Sequence, residues 1–163
     1  MLKPLTMPSE EKLEKRAKNI LLHQLTRSAK TESQLRAVLL KREIPQALID
    51  SAIADFLSAG LIDDLAFAKS YLSSRLARGK AVRLISRELR QKGIADHIIE
   101  SVCSEISIED QRQQVIDLAR RRAERLAGLE SEVRQRRLSG YLLRRGFPGA
   151  LVSQAVRLVE RQG

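Results

Sequence analysis

Lys80, Arg83, Arg87 and Arg90 recur at steps of three, four and three residues, a spacing that places four cationic side chains on one stripe of a helix. Ile85 and Leu89 fall on the opposite side. Guanidinium and ammonium groups in such a row do no covalent chemistry. They donate charge-assisted hydrogen bonds to phosphates or carboxylates. Arg78 stands just before the stripe, and further basic clusters occur at Arg120-Arg121-Arg122 with Arg125 and at Arg144-Arg145. The candidate contacts to a polyanion are therefore Arg78, Lys80, Arg83, Arg87, Arg90, Arg121, Arg125, Arg144 and Arg145. The competing reading is a solvated helical face. Against it, the first-repeat positions matching the stripe are Lys30, Ser33, Ala37 and Leu40, so the fold does not require the charge.

Residues that could do covalent or metal chemistry are few. His23 and His97 are the only histidines, with no serine or cysteine partner in a recognisable arrangement, and surface or capping roles suit them. Cys103 takes a repeat position filled elsewhere by Ile53 and Val156, as core filler does. Asp63-Asp64 could pair for acid–base or metal work, yet the dipeptide follows Gly60-Leu61-Ile62 and opens a helix, where aspartate is a good cap. The chain contains no glycine-rich phosphate loop and no clustered ligand set. No catalytic residue, cofactor or metal is expected. Arg75 lies among Phe67, Tyr71 and Leu72 at the position of Leu25, so it must snorkel or find a carboxylate, and it is read as structural.

Charge supports binding. The net charge is +10, distributed as +1 over residues 1–64, +4 over 65–106 and +5 over 107–163. Such a chain suits nucleic acid first and an acidic protein surface second. Charge reversal at Lys12 and Lys15, in the nearly neutral first part, is expected to matter little. A single cysteine excludes an internal disulfide, and MLKPLTMPSEEK lacks an apolar run long enough for a signal peptide. No stretch approaches the roughly 20 apolar residues of a membrane span. The expectation is a cytoplasmic protein, monomeric and without membrane contact.

The elements that must position these side chains come in threes. ELRQKGI at 88–94 returns as YLLRRGF at 141–147 and, more weakly, as VLLKREI at 38–44. Leu39, Leu89 and Leu142 correspond, as do Ile44, Ile94 and Phe147. Each copy reads as two helices joined by a tight turn, preceded by a longer helix. Gly93 and Gly146 suit a left-handed residue ending the first of the pair; Glu43 replaces them in the first copy, whose turn is expected to close differently. Pro45 and Pro148 fall in the first turn of the next helix. Thr31 with Gln34 makes a capping box, while Ser9, Asp63-Asp64 and Asp110 mark the starts of the longer helices. With tryptophan absent and aromatics scarce, the chain is expected to be all-α: three tandem three-helix repeats, near 9–59, 63–106 and 109–161, in an elongated, curved array.

GLIDDLAFAKSYLSSRLARGKAVRLISRELRQKGI, residues 60–94, resembles the central signature of the RecX family of bacterial recombination regulators. The matching elements are Gly60-Leu61-Ile62-Asp63-Asp64, Phe67, Arg75, Gly79, Ile85, Glu88-Leu89 and Lys92-Gly93-Ile94. YLLRRGF is similar to that family's third-repeat signature. The resemblance implies a non-enzymatic modulator of the recombinase RecA that binds the groove of the RecA–DNA filament. It further implies damped strand exchange, ATP hydrolysis and coprotease activity, and so a role in DNA repair and the SOS response. The implied partners are the RecA filament and single- and double-stranded DNA. The alternative is a helix-turn-helix-type DNA-binding transcription regulator, each repeat being a small helical trio. Against that alternative, base-reading asparagine and glutamine pairs are not concentrated on one helix.

Overall fold

The computed structural model describes residues 8–163. The first seven residues, with Met1, Met7 and most of the segment read as lacking a signal peptide, lie outside the described residues. The described residues form nine helices and no strand: α1 (Glu10–Arg27), α2 (Glu32–Lys41), α3 (Gln46–Ser58), α4 (Asp64–Ala77), α5 (Val82–Gln91), α6 (Asp96–Cys103), α7 (Ile108–Arg125), α8 (Ser131–Arg144) and α9 (Gly149–Gln162). The all-α expectation and the order of long, short and following helix hold. No helix among the described residues is long and apolar enough to cross a membrane.

Local chemistry explains where the helices start. Ser9 accepts from the Lys12 N–H at 3.4 Å, with Glu10 and Glu11 in the first turn of α1. The Thr31–Gln34 box caps α2 as its sequence indicates. Asp63 accepts from the Ala66 N–H at 2.9 Å and so caps α4. At α7 the cap is Ser107, and Asp110 answers it as the reciprocal acceptor; the aspartate is the box partner, not the cap. Pro45 and Pro148 are N-cap residues rather than first-turn residues, both with φ of −58°. A proline N-cap places the ring where no donor is needed and directs the extended entry.

The turn after each second helix corrects another expectation. Glu43 takes φ of +60°, beside +81° at Gly93 and +93° at Gly146. The first turn therefore closes as the third does, with Ile44 N–H donating to Leu39 and Phe147 N–H to Leu142 at 3.1 and 3.4 Å. What separates the three positions is the neighbour. A Cβ on Gly146 would stand 2.7 Å from Leu84 Cβ, and one on Gly93 would collide with Ser33 Cβ. Left-handed geometry alone tolerates Glu43; glycine is needed where the second helix of the preceding repeat presses on the turn.

The described residues fall into two compact units. One holds α1–α3, the chain through Phe67, and Lys92–Ile94; the other holds Ala68–Gln91 and Ala95–Gly163. In the first unit Leu21, Leu35, Leu39, Ile49, Ile53 and Phe56 form the centre of the core. Thr31, wholly buried, donates its hydroxyl to the Lys92 carbonyl at 2.7 Å. Asp64 accepts from the Glu32 N–H at 2.9 Å and thus serves the start of α2 from a distance. Burial, then the nearby Glu32 and Asp63 charges, push the Asp64 carboxyl up, while the Glu32 amide opposes that shift.

In the second unit Val115, Ala119, Leu138, Leu142, Phe147 and Val152 centre the core of α7–α9. Arg134 clamps Glu160 with two hydrogen bonds of 2.7 and 2.6 Å, joining α8 to α9. That pairing holds the Glu160 carboxyl below the usual carboxylate range against a smaller upward push from burial. The Ala81 N–H donates to the Arg145 carbonyl at 2.9 Å. The joint between second and third repeats thus includes a backbone–backbone bond, whereas Thr31 reaches Lys92 with its side chain.

Candidate polyanion interface

The stripe on α5 is shorter than its spacing suggests. Arg83, Arg87 and Arg90 are exposed and lie three to four residues apart along the helix. Lys80 precedes the helix and folds back to pair with Glu88, which also accepts from the Tyr71 hydroxyl at 2.8 Å. Its charge is neutralised internally. Burial pushes the Glu88 carboxyl up, yet hydrogen bonds from Lys80 and Tyr71 prevail, with the Lys80 and Arg75 charges helping to hold it below the usual range. Arg90 pairs with Asp96 at 2.9 Å, an exposed contact that salt or a ligand displaces at little cost. Arg83 and Arg87 make no ion pair among the described residues.

Arg75 behaves as a packed residue. Its guanidinium lies 4.7 Å from the Tyr71 ring centroid, and its Nε is buried with no hydrogen-bond partner. Arg122 repeats the arrangement on α7: its Nε is likewise buried and unpartnered, and its guanidinium lies 4.9 Å from the Tyr141 centroid. Arg75 stands three residues beyond buried Leu72, and Arg122 three beyond buried Ala119.

Arg78, Arg121, Arg125 and Arg145 meet around one cleft of about 330 Å³, with Arg122 and Tyr141 in its wall. Leu76, Ala77, Gly79, Gln114 and Leu118 complete the lining, and no carboxylate belongs to it. The Arg145 guanidinium donates to the Arg78 carbonyl and lies 5.1 Å from the Tyr141 centroid. Acids on the same helix turn elsewhere: Asp117 engages Gln113 at 2.9 Å and Arg120 at 4.0 Å. Arg144 is left out of the cleft; a Cβ on Gly140 would stand 3.1 Å from its Nη1. The sequence-level set of candidates thus misses Arg122 and Tyr141. The apolar spacing of Val115, Leu118 and Ala119 on α7 carries no warning of them. The Arg120-Arg121-Arg122 run does, because one of its members must face inward on a helix packed along one side.

A second basic concavity, about 570 Å³, lies in the first unit and is lined by Lys12, Lys15, Arg16, Asn19, Ile20, His23, Gln24 and Arg42. It too contains no carboxylate. The near-neutral balance of that region hides it, because Glu14 and Asp55 are taken by Lys18, and Glu32 and Asp50 by Arg36. Lys12 and Lys15 thus share one concavity with Arg16 and Arg42. Cys103 is partly buried, which pushes its thiol up and leaves it a poor nucleophile. Among the described residues, no group of three or more histidine, cysteine or acidic side chains is placed to hold a metal ion.

Three helix trios in tandem, bearing clustered arginines outside their cores, define an all-α protein of the tandem three-helix-domain class. Family models described as RecX, first, second and third three-helix domain match residues 17–56, 63–102 and 109–156. The chain is 38% identical over 148 residues to a regulatory protein RecX of Thermobifida fusca, covering 90% of this chain and 80% of that one. It is 36% identical over 149 residues to the Streptomyces coelicolor protein of that name, covering 90% and 79%. The crystal structure of RecX from Lactobacillus salivarius shares the fold, with a TM-score of 0.79 at 22% identity over 92% of this chain and 98% of that one. The chain belongs to the RecX family of regulatory proteins.

Proposed function

We propose that this protein regulates RecA by binding the RecA–DNA filament, and that binding inhibits recombinase, ATPase and coprotease activities, with consequences for DNA repair and the SOS response. It acts in the cytoplasm, as a monomer, without chemistry of its own. The observation that carries this reading is the separation of charge within a RecX-family chain: Arg83 and Arg87 are exposed and unpaired on α5, and five arginines face one cleft without a carboxylate. Surfaces of that kind match DNA phosphates and acidic recombinase side chains.

Reversing Arg83 and Arg87 to glutamate should leave helix content unchanged and abolish inhibition of RecA's DNA-dependent ATP hydrolysis. Reversal of Arg157 and Arg161 on α9 changes the net charge equally and serves as the control. Equal damage from both variants would mean that charge acts diffusely, and the α5 surface would have to be given up.

A further inference from the structure

We infer that the cleft between the α4–α5 turn and the α7–α8 pair is a phosphate-binding site, sequence-blind, which takes phosphoryl oxygens on Arg121, Arg125 and Arg78. The inference rests on the reading above that the basic surface meets a polyanion, and it says which group of that polyanion is held and where.

Five guanidiniums line about 330 Å³ of space, and among the described residues none of the five makes an ion pair. Like charges gathered in a partly enclosed space repel one another more strongly than on open surface, because less water screens them. The fold does not relax that repulsion by turning an acid inward. It instead fixes the cleft's walls through contacts that involve no anion: Arg145 donates to the Arg78 carbonyl, Gln114 donates to the Lys80 carbonyl at 3.1 Å, and Arg121 donates to the Asp117 carbonyl at 3.4 Å. A site built this way is preorganised for an incoming anion. Arg122 adds a second indication, since its buried Nε has no partner although the residue lines the cleft.

The geometry favours phosphate over a base. Tyr141 is the one aromatic side chain in the lining, and its ring already carries the Arg122 and Arg145 guanidiniums at 4.9 and 5.1 Å. What remains to a ligand is forked N–H donors, which match phosphoryl oxygens. Recognition therefore reads backbone charge and not base identity. Two sources present that group, the phosphodiesters of a nucleic-acid strand and the polyphosphate of a nucleotide.

The test uses the full chain without RecA, so its failure is separate from failure of the regulatory reading. Tripolyphosphate should raise the melting temperature beyond chloride of equal ionic strength, and should displace a labelled oligo-dT strand. Arg121→Gln with Arg125→Gln should remove the tripolyphosphate effect, weaken oligo-dT binding at least tenfold, and lower the log–log salt slope by about 0.7 for each phosphate no longer engaged. Arg157→Gln with Arg161→Gln on α9 should leave the tripolyphosphate effect in place. Stabilisation by tripolyphosphate without displacement of oligo-dT would assign the site to nucleotides rather than to a strand. The inference fails if tripolyphosphate does nothing beyond ionic strength, if its effect survives in the Arg121/Arg125 variant, or if poly-glutamate of matched charge competes as well as tripolyphosphate does.

Discussion

Arg42 and Arg145 cap the second helices of the first and third trios, and each faces its own trio's first helix across a basic concavity. In the third trio that space is narrowed by the turn that joins α4 to α5, with Arg78 and Gly79 in the wall. Among the described residues no such turn enters the first trio's concavity, whose volume is about 570 against about 330 Å³. The difference lies in the neighbour and not in the trio. The same lesson comes from the turns beside those arginines, where Glu43 and Gly146 share a left-handed backbone but only Gly146 is pressed by a preceding helix.

Gly93→Ala tests that comparison hardest. It adds a methyl against Ser33 and imposes a left-handed alanine, and should lower stability by on the order of 3 kcal/mol, read by chemical denaturation. Ser33→Gly in the same chain should restore part of the loss. No recovery would mean that the backbone conformation, and not the neighbour, requires glycine.

A smaller effect separates the ion pairs that tie second to third helices. Glu160, clamped by Arg134, is 13% exposed, whereas Asp50, paired with Arg36, is 57% exposed. Glu160→Gln should therefore lower the melting temperature more than Asp50→Asn. Both carboxyls titrate below their ordinary range, chiefly through their arginine partners. Their contribution is present above the unfolded-state pKa, near 4, and is lost as pH falls through the lower folded-state values. The acid limb of stability should flatten more in Glu160→Gln than in Asp50→Asn. The reverse order would show that burial of the pair does not govern its worth.

Glu43→Gly should do least. Relief of the left-handed conformation and the added freedom of the unfolded chain oppose each other, so stability should change by less than about 1 kcal/mol. A loss as large as that of Gly93→Ala would place an undetected contact on the Glu43 side chain.

Much of this fold was legible because helical periodicity is local. The core positions at 39, 89 and 142 and the Thr31–Gln34 box report on residues within a turn or two of themselves. Contacts that depend on another helix were not legible. Asp64 reads as a cap for its own helix and in fact serves α2; Lys80 reads as part of a stripe and is drawn off by Glu88. Charge sums mislead for a related reason. Net charge over residues 1–64 cannot tell that Lys18 and Arg36 take four of the acids, leaving Lys12, Lys15, Arg16 and Arg42 unopposed around one concavity.

The Ala81 amide, given to the Arg145 carbonyl, makes the joint between the second and third repeats spectroscopically visible. A single deuterium-exchange rate at that nitrogen clocks how often the joint opens, without labels or mutations. At the joint between the first and second repeats the Thr31 hydroxyl proton exchanges too fast to follow, and the Glu32 amide, given to Asp64, is the nitrogen that reports.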